Sequence, residues 1–271
     1  MNLTSPSQVK EWCLAHDFHP NKVLGQNFLI DRNALEGIVD AADAIAQRRV
    51  LEVGPGLGVL TEELLGRGAL VTAVEKDPVL ADRLAESLGS PAALTVMKGD
   101  ALDFTKEGRL DGFPVLVSNL PYQAGTRILL ELIKRIDLGA VVPETIVVLV
   151  QSEVADRLAA GPGTKTRGLA GVWAQLDYDV APVRQVKASC FWPRPEVGST
   201  VVKLVRHHRN DALSAEERTL FRRLAKQAFE HRRKQLGSIF KGYVQSTARA
   251  EELANEDWLA LTKGLCGHAD T

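Results

Sequence analysis

The sequence predicts an α/β fold, in which a doubly wound parallel sheet precedes a small helical region. Apolar segments of strand length alternate with segments whose apolar residues recur at helical spacing, the pattern typical of a parallel sheet. A glycine-rich turn follows the first strand of this sheet, and polar residues follow the next three strands. Open α/β sheets bind ligands at the carboxyl ends of their strands, so these residues define the candidate site.

The elements can be placed in order along the chain. Residues from about 5 to 45 predict short helices, with Ser5-Pro6 as a helix start. The predicted strands are 49–53, 70–75, 94–97, 115–118, 145–150, 180–186 and 199–205. The predicted helices between them are 59–65, 78–88 and 126–136. Strand and helix therefore alternate through most of the chain.

The composition of the chain changes near His207. Beyond it, apolar residues recur at helical spacing among many charged ones. We therefore predict two domains, a catalytic domain over 1–206 with an N-terminal helical lid and a small helical domain over 207–271. From Lys203 to Lys241 there are eleven Lys and Arg residues against four acids, although the whole chain has a net charge of -1. This basic stretch indicates either a surface for RNA phosphates or a solvated helix face.

The cysteines and the N-terminus favour a cytoplasmic protein. Cys13, Cys190 and Cys266 are far apart and fit neither a disulfide framework nor a metal-ligand spacing. The N-terminal residues lack an apolar signal core, and no segment reaches membrane-spanning length. We expect reduced thiols, no bound metal and no membrane association.

The turn EVGPGLG at 52–58 predicts a nucleotide-type cofactor site. Its glycines, among them Gly54 and Gly56, let a ligand approach the main chain at a helix N-terminus. Glu75 ends the second strand, 21 residues after Gly54. A carboxylate at that position can accept both hydroxyls of a ribose, which fits either a dinucleotide or S-adenosylmethionine.

The next two strands distinguish between these cofactors. Asp100 follows the third strand, where it would lie beside an adenine. The segment NLPY at 119–122 follows the fourth and combines an amide, a rigid proline and an aromatic face. A dehydrogenase more often carries Gly-x-Gly-x-x-Gly, which this turn lacks. The arrangement resembles class I S-adenosylmethionine-dependent methyltransferases, which have a Rossmann-like doubly wound sheet.

Together with the N-terminal segment, these motifs closely resemble those of the ribosomal RNA adenine dimethyltransferases. The motifs that match in order and spacing are GQNFL at 25–29, EVGPGLG at 52–58, Glu75, Gly99-Asp100 and NLPY at 119–122. Further stretches agree at 153–158, 190–195 and 229–234. The resemblance covers about residues 20 to 240 and is closest to the bacterial enzymes that act on 16S rRNA.

The resemblance implies S-adenosylmethionine as cofactor and assigns a role to several residues. Asn27 and Leu29 would contact the cofactor from the N-terminal lid, and Gly54 would contact its methionine part. Glu75 would bind the ribose, and Asp100 the adenine. Asn119 would face the methyl donor.

The resemblance also implies how the target adenine is held. The Asn119 side chain and the Leu120 carbonyl would accept hydrogen bonds from its amino group. Tyr122 would stack on one face of the base, and Phe191 could cover the other. The candidate RNA contacts in the basic tail are Arg222, Arg223, Arg232, Arg233 and Lys234.

The implied activity is dimethylation of N6 on two adjacent adenosines in the 3′-terminal hairpin loop of 16S rRNA, during small-subunit biogenesis. The family expectation is a monomer. Two alternatives stay open, a 23S rRNA adenine N6-methyltransferase and a non-catalytic ribosome assembly factor on the same fold. Two positions depart from the family pattern and concern substrate docking. Gly198 stands where the family usually has an acid, and Arg167 where it often has a tyrosine.

Overall fold

The computed structural model describes residues 3–21 and 25–266, so part of the predicted lid, 22–24, and the end of the helical region, 267–271, lie outside the described residues. The described part begins with α1 (Pro6–Ala15), β1 (Phe28–Leu29) and α2 (Arg32–Ala41). Within the described ranges, no helix combines the length and the apolar character needed to cross a bilayer.

The central α/β region follows. Its first elements are β2 (Arg49–Val53), α3 (Val59–Gly66), β3 (Leu70–Glu75), α4 (Pro78–Ser87), β4 (Leu94–Lys98), α5 (Ala101–Lys106), β5 (Val115–Asn119), α6 (Gly125–Lys134) and β6 (Thr145–Gln151). It continues with α7 (Ser152–Ala159), α8 (Leu169–Gln175), β7 (Tyr178–Val186), β8 (Phe191–Trp192) and β9 (Ser199–Arg206). The helical region contains α9 (Ala215–Glu230), α10 (Leu236–Ile239) and α11 (Asn255–Cys266).

Seven strands form one sheet in the order β4-β3-β2-β5-β6-β9-β7. The first five are parallel, and β9 runs antiparallel to both of its neighbours. The predicted strands and the doubly wound fold are confirmed. After β2, the chain adds β3 and β4 on one side of that strand. It then crosses back, and β5 pairs with the opposite side of β2. The carboxyl end of β2 is therefore the topological switch point, where such sheets bind ligands.

The sheet is covered on both faces, which explains its apolar strands. In β6 the five residues from Ile146 to Val150 are all buried. One apolar core includes Val50 and Val71, and the other includes Leu51 and Leu116. Because neighbouring residues of a strand face opposite sides, a strand that is buried on both sides reads as a continuous apolar run.

A separate two-stranded sheet joins β1 to β8. Phe28 pairs with Trp192 and Leu29 with Phe191, in antiparallel register. Strands of two residues are too short to show a period, so the sequence did not predict this sheet. It ties the N-terminal segment to the chain that follows β7, next to the glycine turn.

The helical region shares its apolar core with the α/β region. Phe221 of α9 and Trp258 of α11 are fully buried, and they belong to one cluster with Val172 of α8 and Leu176. The cluster therefore crosses the predicted boundary at 206/207. The division into two domains stays a prediction, and α8 belongs with the helices that follow residue 207.

Buried ion pairs join α9 to the α/β region. Arg218 donates to Asp177 at 2.7 Å, and Arg222 bonds Asp137 at 2.5 and 3.0 Å. The side chains of all four residues are at most 10% exposed. The expectation that Arg222 contacts RNA is wrong, because its guanidinium is enclosed here and its charge is already paired.

Removing one acid from this network should destabilise the fold. Asp177→Asn leaves two buried guanidinium groups short of negative charge, so we expect the free energy of unfolding to fall by about 3 kcal/mol. Urea denaturation followed by circular dichroism measures this change. Asp179→Asn, two residues further along β7, removes an exposed partner of Arg209 and should cost less than about 1 kcal/mol. Equal losses in the two variants would contradict the assignment.

Candidate active site

A cavity of about 350 Å³ opens at the carboxyl ends of β2, β3 and β5. This volume is in the usual range for small-ligand sites. The predicted residues that line it are Asn27, Leu29, Gly54, Gly56, Glu75, Asp100, Asn119, Leu120 and Tyr122. The fold thus brings the predicted cofactor residues together with the NLPY motif.

The glycine turn forms one wall of the cavity. Gly54 and Gly56 have φ angles of +69° and +60°, a left-handed conformation that side chains rarely adopt. A Cβ atom on Gly56 would also lie 3.0 Å from the ring of Phe28. Glycine is therefore required at 56 for two reasons, the backbone conformation and the close approach of the N-terminal segment.

Glu75 presents a carboxylate that the backbone holds in a fixed orientation. It accepts hydrogen bonds from the Gly56 amide at 3.1 Å and the Asp77 amide at 2.8 Å. Burial raises the pKa of Glu75, and the two amide bonds offset part of that effect. Each carboxylate oxygen has a second lone pair, so Glu75 can also accept hydroxyl groups from a ribose.

Asp100 lies at the rim of the cavity. It caps α5 by accepting the Leu102 amide at 2.8 Å and pairs with Lys76 at 2.9 Å. Burial alone would raise the pKa of Asp100, but the hydrogen bonds from Lys76 and Leu102 lower it. The side chain is therefore an ionised acceptor, suited to the amino group of an adenine. The pairing of Lys76 with Asp100 could not be predicted from the sequence, where only the position of Lys76 next to Glu75 is apparent.

The N-terminal segment 25–29 closes over the glycine turn through polar contacts as well as packing. Gln26 donates to Asp77 at 2.9 Å. Asn119 donates from its amide nitrogen to the carbonyl of Asn27 at 3.3 Å. The pairing of Gln26 with Asp77 could not be predicted from the sequence, because a contact across 51 positions leaves no local pattern. These bonds hold the predicted lid residues Asn27 and Leu29 at the cavity.

The NLPY turn is fixed by backbone hydrogen bonds. The Leu120 amide donates to Leu149 at 3.1 Å, and the Pro121 carbonyl accepts from Gly125 at 2.7 Å. Leu120 as a whole is only 2% exposed, and because its side chain has no polar atom, any polar contact from Leu120 to a ligand would come from its backbone. With the Asn119 nitrogen bonded to Asn27, the Asn119 side-chain oxygen is left as an acceptor.

Tyr122 is anchored by a residue that the sequence analysis did not assign. Its hydroxyl is 2.6 Å from the Ser199 hydroxyl, at the start of β9. Burial raises the pKa of Tyr122, and the bond to Ser199 offsets part of that rise, so the phenol is neutral. Phe191 packs edge-on against Tyr122, with 6.5 Å between the ring centroids. Phe191 is only 2% exposed and is not among the residues that line the cavity, so its stacking role stays a prediction.

The two departures from the family pattern occupy different surroundings. Arg167 is 1% exposed and donates to the Ala160 carbonyl and to Asn255, so it is an interior link to α11 rather than a docking surface. Gly198 accepts from the Ser152 amide at 3.0 Å. A Cβ atom at 198 would lie 3.5 Å from the nearest atom, which leaves room for a side chain there.

Three of the five predicted RNA contacts are exposed, namely Arg223, Arg233 and Lys234. Arg232 is half-buried and donates to the Lys165 carbonyl at 2.6 Å. Arg222 is enclosed, as described above. The exposed cations of the predicted set are therefore found on α9 and in the chain that directly follows it.

Comparison with known proteins identifies the family. The family model described as ribosomal RNA adenine dimethylase matches residues 17–260. A protein named ribosomal RNA small subunit methyltransferase A, from Bifidobacterium longum, is 38% identical over 93% of this chain and 90% of its own length. A protein of the same name from Deinococcus radiodurans is 45% identical over 74% of this chain and 67% of its own length.

Solved structures agree with the fold. A dimethyladenosine transferase from Plasmodium falciparum superimposes with a TM-score of 0.76 at 23% identity, over 89% of this chain and 98% of that one. The 23S rRNA methyltransferase ErmE gives a TM-score of 0.67 at 25% identity, over 89% of this chain and 100% of that one. The chain therefore has the class I methyltransferase fold and belongs to the ribosomal RNA adenine dimethylase family.

Proposed function

We propose that this protein uses S-adenosylmethionine to dimethylate N6 of two adjacent adenosines in the 3′-terminal hairpin loop of 16S rRNA. The observation that carries the proposal is that one cavity joins the carboxylates Glu75 and Asp100 to the Asn119–Tyr122 turn. The first two can bind an adenosyl group, and the turn can hold an amino group beside it. The small-subunit names of the similar proteins support 16S rRNA as the acceptor.

The polar groups that line the cavity support S-adenosylmethionine as the cofactor. Glu75 would accept the ribose hydroxyls, and Asp100 the adenine amino group. The open backbone at Gly54 would admit the methionine part, with Asn27 and Leu29 closing the site from the N-terminal segment. S-adenosylmethionine, when bound, supplies a methyl group on a positively charged sulfur.

The chain's own task is to orient a weak nucleophile. The lone pair of adenine N6 is delocalised into the ring, so the amino group reacts only if it becomes pyramidal. Hydrogen bonds from N6 to the Asn119 side-chain oxygen and the Leu120 carbonyl would favour that geometry and aim the lone pair at the methyl carbon. A strong base is unnecessary, because the N6 proton becomes acidic once the nitrogen is alkylated.

Tyr122 would hold the target base by stacking. An adenine must leave its stack to reach an enclosed site, and adenines in a loop do so at lower cost than paired ones. Ser199 holds the phenol end of Tyr122, and Phe191 packs edge-on against its ring, so the two contacts together orient the aromatic face. Phe191 would cover the second face after a shift of its buried ring.

The exposed cations Arg223, Arg233 and Lys234 would bind RNA phosphates and so increase the affinity for the subunit. We do not include Arg232 among these RNA contacts, because its guanidinium already donates a hydrogen bond to the Lys165 carbonyl. Action on 16S rRNA would place the protein in the cytoplasm, and we propose that it works there as a monomer.

Methylation of purified ribosomal subunits tests the function. Incubation with labelled S-adenosylmethionine should place label on adenosines of the 3′-terminal hairpin when 30S subunits lacking these methyl groups are the acceptor. Mapping of the modified nucleotides locates the label. Label confined to 23S rRNA in 50S subunits would favour the alternative to which the likeness to ErmE points. Binding to 30S subunits without any label would indicate a non-catalytic assembly factor.

Asn119→Ala should slow methyl transfer while the cofactor still binds. We expect kcat to fall by about 10²-fold or more, because the variant loses one of two acceptors that orient N6. Single-turnover methylation and equilibrium binding of S-adenosylmethionine measure the two properties separately. Asn33→Ala, at an exposed position on α2, is the matched control and should leave kcat unchanged. A kcat for Asn119→Ala equal to that of the control would contradict the assigned role.

Lys234→Ala should weaken RNA binding in a salt-dependent way. Loss of one phosphate contact lowers the slope of log affinity against log salt by about 0.7 to 0.9. Filter binding to 30S subunits over a range of KCl concentrations measures this slope. Lys10→Ala on α1 removes an exposed charge outside the predicted surface and is the control. Identical slopes for the wild type and Lys234→Ala would exclude a phosphate contact at 234.

A further inference from the structure

Glu52 is a buried carboxyl group in the cavity to which the proposed chemistry gives no role. It lies near the carboxyl end of β2, is 1% exposed and lines the cavity together with Glu75. The hydrogen bond that holds it comes from the neutral hydroxyl of Thr61 on α3, at 2.7 Å. A carboxyl group in such surroundings is costly to ionise.

The surroundings of Glu52 add negative rather than positive charge. Glu75 on β3 is buried, and so is Asp77 just beyond it. Among the described residues, no ion pair involves any of these three acids. The Lys76 side chain is 59% exposed and forms an ion pair with Asp100 at the rim of the cavity. From the β5 side, the cavity receives the neutral side chains of Asn119 and Tyr122.

These surroundings determine the protonation of Glu52. Burial raises the pKa of Glu52, the hydrogen bond from Thr61 lowers it and the nearby charge of Glu75 raises it, with a net value of about 8. At pH 7 the cofactor-free pocket therefore contains a neutral Glu52.

We propose that Glu52 holds a proton in the cofactor-free pocket and releases it to solvent when S-adenosylmethionine binds. The ligand carries a sulfonium and an ammonium group, and either charge would compensate the Glu52 carboxylate, which has no ion-pair partner among the described residues. Glu52 then determines specificity for a positively charged ligand. The inference rests on the proposed function, because it assumes that this cofactor occupies the cavity.

Calorimetry detects the released proton directly. Binding of S-adenosylmethionine to the full-length protein is titrated at pH 7.0 in two buffers with different ionisation enthalpies, and the difference in heat gives the number of protons released. With a pKa of about 8 before binding, Glu52 should contribute about 0.9 proton. The variant Glu52→Gln should lose this contribution. The matched control Glu62→Gln, at an exposed position on α3, should retain it.

The wild-type protein offers a second measurement that does not depend on a variant that folds. Between pH 6 and 7 the association constant for S-adenosylmethionine should rise about tenfold, because binding and proton release are linked. Where Glu52→Gln folds, the slope of log association constant against pH should be smaller by about one in this variant. Titration with S-adenosylhomocysteine, which keeps the ammonium but lacks the sulfonium, identifies the compensating charge. Release with both ligands assigns it to the ammonium, and release with S-adenosylmethionine alone assigns it to the sulfonium.

The outcomes separate this inference from the function on which it rests. Cofactor binding with equal proton release in the wild type and Glu52→Gln would overturn the role of Glu52 and leave the methyltransferase proposal intact. A protein that does not bind S-adenosylmethionine at all would overturn both.

Discussion

The register of three parallel strands is the constraint on which the site depends. Val53 of β2 lies beside Val74 of β3, and Val50 pairs with Val115 of β5 on the other side. This register places the glycine turn between Glu75 and the segment that begins at Asn119. A shift by one residue would exchange the side chains of β2 between the two cores, moving Val50 and Leu51 each to the opposite face, so packing of the two cores protects the geometry of the site.

The cavity combines a rigid backbone with two buried acidic groups, Glu52 and Glu75, that have no ion-pair partner among the described residues. Backbone amides orient Glu75, a lysine at the rim neutralises Asp100, and Glu52 lies deeper without a cation among the described residues. Such a site is unfavourable for an anion and favourable for a ligand that carries positive charge. The arrangement proposed to bind the cofactor would therefore also select its charge, while the target base would need only oriented acceptors and an aromatic face.

Buried polar contacts fasten the surrounding segments to this frame. Gln26 and the β1–β8 pair hold the N-terminal segment over the glycine turn. Arg218 and Arg222 fasten α9 to Asp137 and Asp177, and Arg167 reaches Asn255 at the start of α11. The helical region is therefore attached by enclosed charges as well as by apolar packing. The enclosed basic residues of this region are therefore structural, and the RNA contacts proposed for Arg223, Arg233 and Lys234 concern exposed side chains.

The sequence by itself determined the strands and the doubly wound class and indicated the candidate cofactor residues, because apolar periodicity and strand-end motifs are local properties. It could place Gly54, Glu75, Asp100 and Asn119 at one edge of the sheet, since parallel strands align their carboxyl ends. Only the tertiary structure decided which charges face inward. Arg222 and Arg223 are adjacent on α9 and look alike in sequence, yet the first is enclosed and the second is exposed. Contacts such as that between Tyr122 and Ser199 could not be predicted from the sequence either, because a contact across 77 positions depends on packing and leaves no local pattern in the chain.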